Sequence, residues 1–142
     1  HGAMSLLLAS VILFAPQYSW RAIETIPAIW DEATAAGVDP YLVTAIAWKE
    51  SRLSPSARSK TKDCGIMQVN TRWSKYSCKQ LTDLRTGIKA GIQSMIYWRK
   101  RFGEREPNYQ WLCHYNSGNK CYRRSKGYAR RIAQVRRLLL SK

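Results

Sequence analysis

The chain has 142 residues, with 24 Lys plus Arg against nine Asp plus Glu, four Cys, six Trp, eight Tyr and two Phe. That length suits one domain with a core of its own, and an apolar content of 45% argues against intrinsic disorder despite a net charge of +15. No apolar run approaches the roughly 20 residues of a membrane-spanning helix, so a helical integral membrane protein is not expected.

In chain order, His1–Ser5 reads as an expression scar. Residues 6–20 form an apolar N-terminal segment, and 21–142 the domain proper. Within that segment Leu6–Ala15 has the length of a signal-peptide core or of one buried helix. No basic stretch precedes it, which favours a helix of the folded chain. Ile23, Ile26, Ile29, Trp30 and Ala33 recur at helical spacing up to a stop at Gly37. Asp39-Pro40 restarts the helix with a cap and a first-turn proline. The next stripe is Leu42, Val43, Ile46 and Ala47, with Glu50 one turn beyond.

Arg52 to Asn70 reads as loop, with Pro55 and Gly65 as breakers and a small hairpin around Ile66–Val69. Thr82 is expected to cap a long helix that turns Leu84, Ile88, Ile92, Met95, Ile96 and Phe102 inward and stops at Gly103. Pro107 opens a shorter helix through Trp111 and Leu112, ending near Asn116-Ser117-Gly118. A last helix from about Ser125 buries Tyr128, Ile132, Val135 and Leu139. The expected fold class is α+β, mainly α, with a small irregular or β insert.

The charge is unevenly divided. Residues 1–48 hold one base, Arg21, and four acids, Glu24, Asp31, Glu32 and Asp39; the remainder holds 23 bases and five acids. The final run, Lys120 to Lys142, has nine bases and no acid. It is either a solvated helix face or a surface for an anionic partner: nucleic acid, lipid headgroups or envelope polymers. Nucleic-acid binding has only charge behind it and no reading motif. Cys64, Cys78, Cys113 and Cys121 lack the paired short spacings of a zinc site. They fall into two local pairs. Two disulfides, Cys64–Cys78 and Cys113–Cys121, imply an oxidising destination, and four reduced buried thiols are the alternative.

Glu50 is the position that invites chemistry. It ends an apolar helix after Ala47-Trp48, where the chain enters a polar loop. A carboxyl held against apolar groups keeps its proton nearer neutrality, as general-acid cleavage of a glycosidic bond requires. A lone Glu beside Lys49 at a helix end is ordinarily a solvated residue, and spacing alone does not overturn that.

Glu50-Ser51, Ser59, Gly65-Ile66-Met67-Gln68-Val69-Asn70 and Tyr115-Asn116-Ser117-Gly118, in that order, resemble the catalytic domain of soluble lytic transglycosylases, in the lysozyme-like superfamily. The resemblance runs from about Ile26 to Val135. It implies a helical bundle gripping a glycan groove, peptidoglycan as substrate, Glu50 as acid/base, and no cofactor or metal. By the same resemblance Ser59 and Gln68 line the cleft, Tyr115 lies near the Glu50 carboxyl, and Asn116 holds its segment. His114 and Ser117 depart from the small residues usual around the Tyr-Asn pair.

Lys62 to Trp73 also resembles the animal-lysozyme segment that carries a second carboxylate, which makes Asp63 the candidate for that role. One acid implies departure assisted by the substrate's acetamido group and closure of a 1,6-anhydro ring; two imply hydrolysis. Asp63 and Gln68 are an odd number of residues apart, so a regular strand sends them to opposite faces. A bulge or turn at Gly65 would lift that rule. The single-acid reading is preferred, with Asp63 pairing instead with Lys60, Lys62 or a backbone amide. Trp73 and Tyr76 are the candidate sugar platforms, whereas Trp98 and Trp111 read as core. The expected partners are glycan strands and anionic envelope polymers. The expected protein is a monomer, periplasmic, secreted or virion-associated.

Overall fold

A computed structural model describes residues 2–142. Its first helix, α1 (Gly2–Phe14), has no charge along its length and buries Leu7 and Val11 against α2 (Ser19–Ala36) and α7 (Arg123–Leu140). The apolar N-terminal segment is therefore a helix of the folded body. Gly2–Ser5 form its first turn, and His1 lies outside the described residues. A 3-10 turn over Pro16–Tyr18 leads into α2, which turns Ala22, Ile26, Ile29 and Ala33 inward. Ile23, expected on that stripe, falls at its edge and is half exposed. Gly37 ends α2 in the left-handed region at φ 71°, as expected of a glycine stop.

The central helix is α3 (Pro40–Ser51). Asp39 caps it by accepting from the Tyr41 N–H at 2.9 Å, and all side chains from Leu42 to Trp48 are buried. A helix apolar all round belongs inside, and α3 lies between α2 and α7.

The insert that follows is a two-stranded antiparallel hairpin, β1 (Asp63–Cys64) and β2 (Val69–Asn70), pairing Asp63 with Asn70 and Cys64 with Val69. The hairpin expected around Ile66–Val69 thus has its strands on either side of Ile66 and Met67, which lie in the turn, fully buried. Gly65 at φ 83° and Gln68 at φ 50° take the chain out of extended geometry there. Gly65 is obligatory on two counts, since a Cβ would also sit 2.1 Å from the Leu81 carbonyl oxygen. A disulfide joins Cys64 to Cys78 at the start of α4 (Cys78–Leu81).

The long helix α5 (Leu84–Phe102) is capped by Asp83, whose carboxylate accepts from the Thr86 N–H at 3.1 Å, and not by Thr82. Thr82 closes α4 instead, donating to the Lys79 carbonyl. The helix expected from Pro107 is a run of turns, because Asn108 and Tyr109 adopt φ 59° and 68°. Helix α6 (Leu112–Ser117) begins only after them, and the second disulfide, Cys113–Cys121, ties its start to the chain beyond its end. Both disulfides are those expected from sequence order. Helix α7 begins two residues before Ser125, whose hydroxyl accepts from the Tyr122 N–H. It buries Tyr128, Ile132, Val135 and Leu139, as the periodicity predicts. The fold is mainly α with a small β insert.

Candidate active site

Glu50 stands in the last turn of α3, where the helix leaves the core, and its carboxyl is half-buried. The Tyr128 hydroxyl on α7 donates to Glu50 Oε2 at 2.5 Å. Loss of solvent around the carboxyl pushes its pKa up to about 7. The phenol hydrogen bond works against that rise, the negative charge of Asp63 adds to it, and Lys49 opposes it. Near neutrality the group therefore divides between acid and carboxylate, as a proton donor that must later accept a proton requires.

The neighbouring segments are tied to one another through backbone carbonyls. Ser51 donates to the Ile66 carbonyl at 2.7 Å, and Tyr115 donates to the Met67 carbonyl at 2.9 Å. The buried turn between the strands thus docks on α3 on one side and on α6 on the other. The phenols of Tyr115 and Tyr128 are both pushed well above the usual tyrosine range, by burial first and by the Glu50 charge second. They stay neutral donors beside the carboxyl.

The family model of the transglycosylase SLT domain matches residues 27–135, from within α2 to within α7. The chain belongs to the SLT family. Its fold is lysozyme-like, and it is an enzyme of the lytic transglycosylase class, acting on peptidoglycan. No curated protein and no solved structure matches it significantly.

The remaining expected site residues of this SLT domain fall into two sets. In the first, Asp63 joins the electrostatic neighbourhood of Glu50 and Tyr115. The parity rule does not govern it, because the turn at Gly65–Gln68 separates Asp63 from Gln68. Asp63 accepts from Ser59 at 3.1 Å, Thr61 at 2.9 Å and Asn70 at 2.9 Å rather than pairing with Lys60 or Lys62. Ser59 is therefore engaged with Asp63, and it also accepts from the Asp63 N–H at 3.0 Å. The Gln68 amide nitrogen donates to the Ala57 and Gly65 carbonyls at 3.1 and 2.9 Å, fastening the loop to the turn.

The second set is exposed. Asn116 lies at the surface of α6, and Trp73, 83% exposed, offers its ring to solvent after β2. Tyr76 is half-buried under the Lys75 ammonium. Trp111 is buried and Trp98 partly so, both in packing roles. His114 and Ser117 serve packing as well. The His114 ring stacks on Phe102 with centroids 3.6 Å apart, and Ser117 donates to the Cys113 and Lys120 carbonyls.

The Tyr128 hydrogen bond to Glu50 is the feature of this site that sequence reasoning missed. The helical spacing of Tyr128 marks it as core, which it is. The signal was its oxygen, on an inward stripe whose other large members are Ile132, Val135 and Leu139.

Proposed function

We propose that this SLT domain cleaves the β-1,4 bond between N-acetylmuramic acid and N-acetylglucosamine, with Glu50 as its single acid/base and a 1,6-anhydro sugar as product. The Glu50 carboxyl gives its proton to the glycosidic oxygen as the C1–O bond breaks, and the substrate's acetamido group supports the cationic sugar carbon. The resulting carboxylate then takes the proton of the 6-hydroxyl, whose oxygen closes on C1. No water is consumed. Tyr128 steadies the carboxyl in both states, and Tyr115 holds the turn that faces it.

The observation that carries this reading is a Glu50 carboxyl withdrawn from solvent and held by Tyr128, near an Asp63 whose oxygens already accept from Ser59, Thr61 and Asn70. In this reading Asp63 raises Glu50 and orders the loop. Ser59, Gln68, Asn116 and Trp73 frame the glycan groove around these groups. The test is the mass of muropeptides released from purified walls. Anhydro ends support the proposal, and reducing ends, heavier by one water, replace it with a hydrolytic muramidase that uses Asp63.

The exposed Arg123, Arg124, Arg130 and Arg131 of α7 support attraction to anionic envelope polymers. The enzyme then works as a monomer on the wall, in phage lysis or cell penetration, or in bacterial envelope remodelling. Activity on whole walls falls with salt more steeply than activity on a short neutral glycan, because screening shortens from about 30 Å at 0.01 M to about 8 Å at 0.15 M. Equal salt curves for the two substrates would end this part of the reading.

A further inference from the structure

Four metal-ligating side chains that the glycan chemistry does not use converge at the start of α6. One donor atom each from Glu106, Cys113, His114 and Cys121 lies within 4.8 Å of all the others, with Cys113 and His114 buried and the other two half-buried. Cys113 Sγ is 3.8 Å from Glu106 Oε1, and His114 Nε2 faces Glu106 Oε2. The other ring nitrogen, His114 Nδ1, meets the Gly118 carbonyl at 2.7 Å.

A carbonyl only accepts, so Nδ1 donates its hydrogen to Gly118, and Nε2 is the nitrogen that faces the Glu106 carboxylate. We propose that when the Cys113–Cys121 disulfide is reduced, Cys113, Cys121, His114 and Glu106 bind one zinc ion. Zinc takes four N, S and O donors in a tetrahedron, and a ligating His commonly gives its other N–H to a backbone carbonyl, as His114 does to Gly118. The stack on Phe102 holds the ring in place. No short-spaced motif announces the set, because its donors come from the turns after α5, from α6 and from the loop beyond it.

The chemistry balances with a dithiol as reductant. It supplies two electrons and two protons, the Cys113–Cys121 S–S bond breaks, and the dithiol leaves as its own disulfide. Zinc then displaces the two thiol protons and any proton on His114 Nε2 or Glu106. Disulfide and zinc thus close the same loop in different redox compartments, and both hold Tyr115 and Asn116, which lie inside it.

The test reduces the full chain with a dithiol, removes the reductant without air, and titrates Co²⁺ and then Zn²⁺. The expected result is one Co²⁺ per chain with the spectrum of a tetrahedral thiolate site, displaced by Zn²⁺, and none in the oxidised chain. His114→Gln and Glu106→Gln each weaken zinc by at least ~10-fold. Glu106, half exposed, is the variant that disturbs folding least. Absence of the thiolate–cobalt bands, or equal zinc affinity in the two variants and the parent, overturns the proposal. Should the reduced chain lose its helical circular dichroism, zinc must restore it; failure to do so overturns the proposal as well.

Discussion

Helix α3 carries an acid at each end, and α7 answers both of them, differently. At the N-terminus Asp39 caps the helix and accepts from the Arg136 guanidinium at 2.6 Å. At the C-terminus Glu50 accepts from the Tyr128 phenol. Tyr128 and Arg136 are eight residues apart on α7, about 12 Å along its axis. One end joins a carboxylate to a cation and to the positive pole of a helix. The other joins a carboxyl to a neutral donor, which favours the anion, and to a buried surround, which favours the acid and outweighs it. The same pair of helices thus spends one acid on holding the fold and keeps the other able to deliver a proton.

The largest effect expected from breaking this contrast is at Glu50 itself. Glu50→Gln keeps the shape and removes the proton, so it folds yet loses at least ~100-fold in turnover; near-full wall clearing by this variant contradicts the assignment. The parent also has a pH signature in stability. Its folded-state value of about 7 lies above the ordinary 4.5. Between those values the folded chain binds more protons than the unfolded one, so stability falls as pH rises through that window. The loss is at most about 3 kcal/mol, and less where solvent still reaches the carboxyl. Denaturant midpoints at pH 5 and pH 8 should differ in the parent and converge in Glu50→Gln.

Tyr128→Phe removes the phenol that holds the carboxyl in place. Turnover falls about tenfold, the scale of one hydrogen bond to a charged group. The alkaline limb of the rate profile moves to higher pH, since that bond lowers the Glu50 value. An unmoved limb would mean that the phenol only packs. At the other end of α3, Arg136→Gln costs about 0.5–1 kcal/mol in thermal unfolding, the range of a partly exposed ion pair, with turnover unchanged. Asp63→Asn has the smallest effect. It still forms anhydro product, and its alkaline limb moves to lower pH because the charge that raises Glu50 is gone. A variant as inactive as Glu50→Gln would make Asp63 a full partner in the reaction.

Much of this was legible in the sequence, where short-range rules decide. Asp39-Pro40 and Gly37 marked the boundary between α2 and α3, and the stripe Tyr128, Ile132, Val135, Leu139 marked the inward face of α7. The misses lie where longer-range geometry decides. The run after Pro107 carries a helix-start signal, yet left-handed backbone at Asn108 and Tyr109 forbids a helix. Thr82 and Asp83 are both good caps, and the adjoining α4 claims the threonine. Parity failed for Asp63 and Gln68 because it holds within one strand and not across a turn. Tyr128 shows the limit most clearly. Periodicity places its ring in the core, but its carboxyl partner lies 78 residues away in sequence.

The central claim, that Glu50 keeps its proton near neutrality, is tested most directly by titrating its side-chain carboxyl carbon by NMR. The chain has only five glutamates, Glu24, Glu32, Glu50, Glu104 and Glu106, and the resonance lost in Glu50→Gln identifies the one in question. A midpoint at about 7 is the predicted result. A midpoint at the ordinary value of 4.5 would contradict the account, because Glu50 would then be as fully ionised at neutral pH as any solvated carboxylate.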